Sequence, residues 1–324
     1  MIRLEWPIMR GNFVGQLSVL LIGAGLVNGQ GVNLDSPPVL AVTPHAIRFA
    51  QRLGQTTAYS TPVTVEAPSR PAFLFLGAGL QNWIEPSSYS GLSPLHATIR
   101  FAPAGMPAGL HTGVLFALLG LDPTPIPVKL MVFDPGGFQF DDVPVTHIWR
   151  AAIALLSATG ITRGCSTNPS LFCPSGLVTQ AEMAAFIVRA VVGEDFPYHA
   201  RPHFGDVLPG NPFYRYVQRM AEMRITSGCG GGQFCPDGIV TRGEMAAVVI
   251  RALYRENFTV TTNPRFVDVP TNHPQFRYVQ RMWELGITSG CSLSEYCPGV
   301  NIPREQMAAF LARAFWGFER VVPN

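Results

Sequence analysis

Six cysteines, arranged as three close pairs, are the residues of this chain with the clearest chemical potential. The pairs are Cys165 and Cys173, Cys229 and Cys235, and Cys291 and Cys297. Thiols at such spacing form disulfides in exported proteins and can bind metals elsewhere. A zinc site is the alternative, but structural zinc sites usually pair ligands about two to four residues apart and would have to gather these thiolates from separate parts of the chain. The choice therefore depends on export.

The amino terminus predicts export. Arg10 precedes an apolar run over residues 13–27, and small residues follow, as in a secretory signal peptide. We assign this signal to residues 1–29, with translation starting at Met1 or at Met9. The run is shorter than the roughly 20 apolar residues of a membrane-spanning helix, and no other stretch is long and apolar enough. We expect a secreted, cell-surface or cell-envelope protein without a transmembrane segment in the mature chain, and hence disulfides within the cysteine pairs.

Motifs of enzymes and of nucleic-acid-binding proteins are missing from the sequence. Its 7 histidines lack the His-Glu-x-x-His spacing of metal sites, and neither a Gly-x-Ser-x-Gly elbow nor a phosphate-binding glycine loop occurs. The paired carboxylates of glycoside hydrolases need not be adjacent in sequence, but nothing marks such a pair. The formal net charge is only +2 and Lys129 is the single lysine, so there is no polybasic tract. We predict no catalysis, no cofactor, no metal and no nucleic-acid partner.

The cysteine pairs belong to three similar segments of the chain. Each segment opens with Phe-x-Asp-Val, at Phe140, Phe204 and Phe266, and the first cysteine of each pair follows at the same distance. The first, second and third segments span residues 140–199, 204–261 and 266–324. Self-similarity of this kind is typical of repeat architectures, in which each unit packs on its neighbours.

Each segment is predicted to hold two helices, because apolar residues recur at helical spacing. The second helix opens with a capping box in two segments. These boxes are Thr179 with Glu182 and Thr241 with Glu244. In the third segment Pro303 and Gln306 stand at these positions, so the reciprocal cap is lost. A helix pair this short cannot bury its apolar face alone, so we expect the segments to pack around a pseudo-threefold axis.

Two further sets of residues recur and are predicted to be structural. The first set is Asp142, Asp206 and Asp268, each followed five positions later by a residue that can cap a helix, namely His147, Asn211 or His273. The second set is Arg189, Arg251 and Arg313, near the end of the second helix, where positive charge complements the helix dipole.

Residues 32–134 differ from the segments in composition and pattern. Proline, glycine, serine and threonine are frequent, and short alternating runs at residues 98–101 and 128–132 predict strands. About 100 residues of this kind fit a β-sandwich. Proline and paired glycines at residues 135–139 predict a linker.

The order Phe-x-Asp-Val-Pro, Gly-Ile-Thr-x-Gly and Thr-Arg-x-Glu-Met-Ala-Ala, found with variations in all three segments, closely resembles the S-layer homology (SLH) domain family over about 185 residues. The resemblance implies three helical repeats around a central bundle with grooves between them. It also implies a role in tethering exported proteins to envelope glycans such as pyruvylated polymers or peptidoglycan.

In that family the arginine of the Thr-Arg motif reaches into a groove and binds the anionic glycan. The matching residues here are Arg242 and Arg304, whereas the first segment has Gln180 and no charge. A guanidinium suits a carboxylate because its planar fork donates two parallel hydrogen bonds. The alternative is a solvated arginine in the first turn of a helix. Where many family members have a Gly-x-x-Asp-Gly turn, this chain has its cysteine pairs.

The amino-terminal region more loosely resembles the immunoglobulin-like BACON family. The similar phrases are Leu40-Ala-Val-Thr-Pro44, Asn82-Trp-Ile-Glu-Pro86 and Ala108-Gly-Leu-His-Thr-Gly113. The family name implies carbohydrate association, but many such domains are spacers. We expect Trp83 to be a core residue rather than a platform for sugar stacking.

Together these features predict a multidomain α+β protein, with an immunoglobulin-like all-β sandwich followed by an all-α bundle of three helix-loop-helix SLH repeats. The expected function is non-covalent anchoring of an exported protein to a cell-wall or envelope polysaccharide. Two alternatives stay open: self-assembly into a surface lattice, and capture of carbohydrate by the sandwich.

Overall fold

The computed structural model describes residues 40–44, 46–56, 58–67, 73–78, 83–119, 122–137 and 140–320. The predicted signal peptide lies outside these residues. The chain forms two compact units. One includes the described residues before His45, Tyr59–Ala102 and Gly113–Ile126; the other includes Ala46–Ala58, Pro103–Thr112 and the described residues from Pro127 onwards. Within the described residues, no helix is both long and apolar enough to cross a bilayer.

The amino-terminal region is rich in strands. The strands are β1 (Ala41–Thr43), β2 (Ile47–Arg52), β3 (Tyr59–Glu66), β4 (Phe73–Ala78), β5 (Ile84–Pro86), β6 (Ser90–Leu92), β7 (Leu95–Phe101), β8 (Gly109–Leu119) and β9 (Asp122–Phe133). They form a four-stranded sheet in the order β1-β3-β7-β5 and a five-stranded sheet in the order β2-β9-β8-β4-β6. The pairing of β2 with β9 is parallel, and the other registered pairs in these two sheets are antiparallel.

Alternation explains why these segments form strands. In β7 every second side chain is buried, which is the pattern of a strand with one face in a core. The strands predicted at residues 98–101 and 128–132 are confirmed within β7 and β9. Trp83 is buried and its ring centroid lies 6.3 Å from that of Phe101, so it is a core residue, as expected.

The carboxy-terminal region is helical. Its helices are α1 (Arg150–Ala158), α2 (Gln180–Val192), α3 (Tyr214–Glu222), α4 (Arg242–Tyr254), α5 (Phe276–Glu284) and α6 (Arg304–Trp316), with a short hairpin of β10 (Ser166–Thr167) and β11 (Ser170–Leu171) in the first segment. The capping boxes predicted at Thr179 and Thr241 are confirmed. Pro303 makes no side-chain cap, as its sequence predicts.

The three helical segments close into a ring. Val178 N–H donates to Ile302 O, Ile302 N–H to Val240 O, and Val240 N–H back to Val178 O, at 2.9–3.1 Å. The long second helices α2, α4 and α6 contact one another, and each first helix packs on the second helix of a neighbouring segment: α3 on α2, α5 on α4, and α1 on α6. The contact of α1 with α6 joins the first segment to the third. Ring closure therefore buries the apolar faces that a single helix pair would expose.

Candidate functional site

A disulfide closes the loop that precedes the second helix in each segment. The bonds are Cys165–Cys173, Cys229–Cys235 and Cys291–Cys297, each with Cα atoms 6.0 Å apart. Closing so short a loop contributes roughly 2 kcal/mol through the entropy of the unfolded chain. Each disulfide therefore restricts the conformations that its loop can adopt.

The recurring aspartates hold the same loops from inside. Asp206 accepts hydrogen bonds from Phe234 N–H at 2.8 Å and Cys235 N–H at 2.7 Å. Asp142 and Asp268 make the same pair of contacts in their own segments. Although burial alone raises the pKa of Asp206, these backbone hydrogen bonds lower it below its ordinary value. The structural role predicted for these residues is confirmed, but it concerns the disulfide loop.

This geometry predicts a pH-dependent effect of Asp206→Asn. A carboxylate whose pKa is lowered on folding stabilises the protein above its unfolded pKa, and this contribution disappears as the pH falls through the lower folded pKa. We expect the substitution to lower the free energy of unfolding by about 1 kcal/mol at pH 7, and the difference from wild type to shrink as the pH falls through the lowered pKa of the folded state. Denaturant unfolding at several pH values measures this. A difference that does not change with pH would contradict it.

The amino terminus of each second helix docks on the turn that directly follows the disulfide of another segment. Arg242 N–H donates to Val300 O and Gly243 N–H donates to Pro298 O, both at 2.9 Å. Equivalent pairs join α2 to the second segment and α6 to the first. The first N–H groups of these helices therefore donate to protein carbonyls. This arrangement creates a first interface between α2 and the second segment, a second between α4 and the third segment, and a third between α6 and the first segment.

Arg242 lies buried in the second interface, with 5 % of its surface exposed. Its Nε donates to Tyr296 O at 2.9 Å and its Nη1 to Gln306 Oε1 at 3.1 Å. The guanidinium lies 4.8 Å from the ring centroid of Tyr296 and 5.3 Å from that of Phe310. Its Nη2 is buried without a hydrogen-bond partner among the described residues. No carboxylate forms an ion pair with this cation in the described part of the chain; Asp268 of the third segment accepts from the backbone N–H of Tyr296 instead.

Arg304 occupies the equivalent place in the third interface. Its Nε donates to Phe172 O at 2.8 Å, and its Nη1 forms an ion pair with Glu182 at 2.8 Å. The guanidinium lies between the rings of Phe172 and Phe186, at 5.1 and 5.2 Å from their centroids. Burial lowers the pKa of Arg304, and the negative charges of Glu182 and Asp142 act against that shift. The charge of Arg304 is thus compensated within the protein.

Gln180 lies in the first interface, on a cavity of about 270 Å³. The same cavity is lined by Glu244, Val248 and Arg251 of the second segment and by Tyr278 of α5 in the third segment. The three residues singled out from the sequence, Gln180, Arg242 and Arg304, therefore lie in three separate interfaces and form no common site.

The recurring arginines near the helix ends also cross between segments. Arg189 donates to Tyr216 Oη at 2.7 Å, and Arg251 donates to Tyr278 Oη at the same distance. Each also pairs with a glutamate at 2.7 Å, Glu194 or Glu256. Arg313 instead stacks on Trp149 of the first segment. These contacts are structural, as predicted, but the tyrosine partners were not predicted because they come from the following segment.

The second segment contains the opening Phe204, the loop-binding aspartate, the disulfide, the capping box and the first-turn arginine. Residues 203–246 match the S-layer homology domain family. An S-layer homology domain is a binding domain. The match ends just after Glu244, so it includes Asp206, the disulfide loop and Arg242.

Curated relatives of the chain also include surface proteins. An S-layer protein of Bacillus thuringiensis subsp. finitimus is 26% identical over 179 residues, or 55% of this chain and 21% of the relative. A cell surface protein of Thermoanaerobacter kivui is 30% identical over 125 residues, or 38% of this chain and 16% of the relative. The S-layer homology match and these relatives indicate a cell-surface or secreted protein and support anchoring to the cell envelope in general.

Similarity to enzymes is present but does not show enzyme activity. An endoglucanase of Bacillus sp. (strain KSM-635) is 28% identical over 187 residues, covering 55% of this chain and 19% of the enzyme. A solved Bacteroides ovatus GH5 xyloglucanase aligns with a TM-score of 0.25 at 12% identity, over 53% of this chain and 29% of the enzyme, which is too low for any argument. The chain spans only about a fifth of the length of the curated relatives that it matches.

Proposed function

We propose that the three helical segments are S-layer homology repeats of one bundle, and that they attach an exported protein to a glycan of the bacterial envelope without a covalent bond. The repeated loops, caps and ring contacts support this reading, together with the match of the second segment. The partner would be peptidoglycan or an anionic polymer associated with it.

The observation that carries the proposal is the cation at the second interface, which forms no ion pair among the described residues. Arg242 keeps a buried Nη2 without a partner, and its neighbour Gln306 is neutral. A buried donor without an acceptor is costly, particularly on a charged group. A ligand whose anionic oxygen reaches Nη2, after a small movement of the side chains that cover it, would supply the missing hydrogen bond. A carboxylate or phosphate on an envelope polymer has this chemistry.

The other two candidate residues would contribute differently. Arg304 already pairs with Glu182, so its interface would hold an anion less strongly. Gln180 offers only an amide, in a cavity that Glu244 shares. We therefore assign the anionic part of the glycan to Arg242, with Arg304 and Gln180 as contacts at neighbouring interfaces.

The β-rich region is proposed to be an immunoglobulin-like domain of the BACON type that acts as a spacer. The burial of Trp83 against Phe101 favours a spacer over a sugar platform. Self-assembly into a surface lattice is a second candidate function, favoured by the similarity to the S-layer protein of B. thuringiensis.

Titration of the oxidised full chain with envelope polymer released from sacculi tests the role of Arg242. Arg242→Met keeps an apolar stem between the rings of Tyr296 and Phe310 but removes the charge, and we expect at least tenfold weaker binding. Gln306→Glu leaves the arginine in place and gives it an internal partner, so it should also weaken binding while preserving the fold. Wild-type affinity in both folded variants would overturn the assignment.

A further inference from the structure

The three interfaces carry different charges because the segments have different residues at two matched positions of the second helix. The third interface joins Arg304 to the carboxylate of Glu182. In the second, Arg242 faces the neutral Gln306. In the first, the neutral Gln180 and the carboxylate of Glu244 line one cavity. Counting only these two positions, the charges are balanced at the third interface, positive at the second and negative at the first; an aspartate that holds the adjoining loop (Asp142, Asp268 or Asp206) is common to all three.

The size of the side chains differs in the same way. At the second and third interfaces a guanidinium packs against Phe310 or Phe186. At the first interface the corresponding positions are Gln180 and Val248, both smaller, and both line the cavity of about 270 Å³. Two reductions in side-chain volume thus coincide with this cavity. The volume of this cavity is slightly below that of ordinary ligand pockets, so it could hold a ligand about the size of one sugar ring.

Glu244 supplies an unused acceptor to this cavity. Its Oε2 receives Thr241 N–H at 2.8 Å and Thr241 Oγ1–H at 3.0 Å. The equivalent of its Oε1 in the third interface, Glu182 Oε1, receives Arg304. No described residue donates to Glu244 Oε1, because Gln180 stands where the arginine would be. A half-buried carboxylate oxygen of this kind favours an N–H or O–H donor and repels another anion.

The other charged group of the cavity is already neutralised. Arg251 pairs with Glu256 at 2.7 Å and donates to Tyr278 Oη. Gln275 adds a second side-chain amide to that of Gln180. The cavity therefore combines one free carboxylate oxygen with two amides, each of which can donate and accept.

We propose that the first interface binds an amino sugar through Glu244, and that it rejects the anionic sugars that the second interface accepts. This inference rests on the proposed function, since it names a second sugar class for the same glycan-binding bundle. One bundle would then recognise two chemically different units along a polymer, with the ammonium or hydroxyl donors at Glu244 and the anionic group at Arg242.

Ligand-observed NMR on the oxidised full chain tests this, with glucosamine and glucuronate as probes at equal concentration. Gln180→Arg should rebuild the ion pair seen between Arg304 and Glu182, and Glu244→Gln should remove the charge while keeping the capping box. We expect each to weaken glucosamine binding at least tenfold and to leave glucuronate binding unchanged. Gln306→Glu, the matched control at the second interface, should show the reverse pattern.

Each other outcome overturns the inference. Glucosamine that fails to bind the wild type, or that binds folded Gln180→Arg with wild-type affinity, would exclude this site. Loss of glucuronate instead of glucosamine in Glu244→Gln would assign the opposite specificity. If the wild type binds sacculi but not glucosamine, the proposed function stands and this inference is wrong. If it binds glucosamine but not sacculi, the amino-sugar site stands and attachment to the envelope is wrong.

Discussion

Arg304→Met should lower the free energy of unfolding by about 3 kcal/mol, because it leaves the carboxylate of Glu182 without its partner in the third interface. This interface closes the ring between the third and first segments, so its loss acts on the whole helical region. Chemical denaturation followed by circular dichroism measures the change. Arg242→Met is the matched control: no carboxylate is left behind there, and we expect less than half the effect.

A double variant separates the ion pair from the packing. Glu182→Gln keeps the capping box, and in combination with Arg304→Met it removes both charges. We expect the double variant to recover most of the lost stability, since a neutral amide is far less costly to leave unpaired than a carboxylate. Equal losses in the single and double variants would show that the aromatic stacking, and not the ion pair, holds the interface.

Gly228→Ala should destabilise the second segment by about 3 kcal/mol. Gly228 has a φ of +77°, and a Cβ there would lie 2.1 Å from Gln233 O and 2.6 Å from the ring of Phe204. The left-handed conformation costs about 1 kcal/mol for alanine, and the collision with backbone adds to it. Thermal unfolding of the oxidised protein measures the loss.

The same loop contains the control for Gly228→Ala. Gly231 also has a positive φ, +58°, but a Cβ there meets nothing within 4 Å. Gly231→Ala should therefore cost only about 1 kcal/mol, the conformational part alone. If both variants lost the same stability, the close approach of Gln233 would not matter and our account of the loop would be wrong.

Local features of the fold could be predicted from the sequence. The capping boxes at Thr179 and Thr241 depend on residues three positions apart, and the strand β7 depends on simple alternation. Such signals concern neighbours along the chain or along one element. For that reason they identify the element without needing its tertiary partners.

The contacts of the candidate site could not be predicted because they join residues far apart in sequence. Arg304 meets Glu182, which lies 122 positions earlier, and Asp206 binds the loop 28 positions later. The first-turn arginines looked equally able to face solvent. Their burial follows from the closed ring, in which each helix terminus docks on a turn of another segment. The sequence shows that Glu244 of the second segment is matched by Gln306 of the third. The effect of this difference on charge could not be predicted, because it depends on which interface each residue enters.

Cosedimentation of the oxidised full chain with purified envelope sacculi tests the central claim most directly. We predict saturable pelleting that free polymer released from the same sacculi inhibits, and no pelleting of the chain alone. A chain that stays in the supernatant at all sacculus concentrations, or one that pellets as ordered arrays without sacculi, would contradict attachment to an envelope glycan.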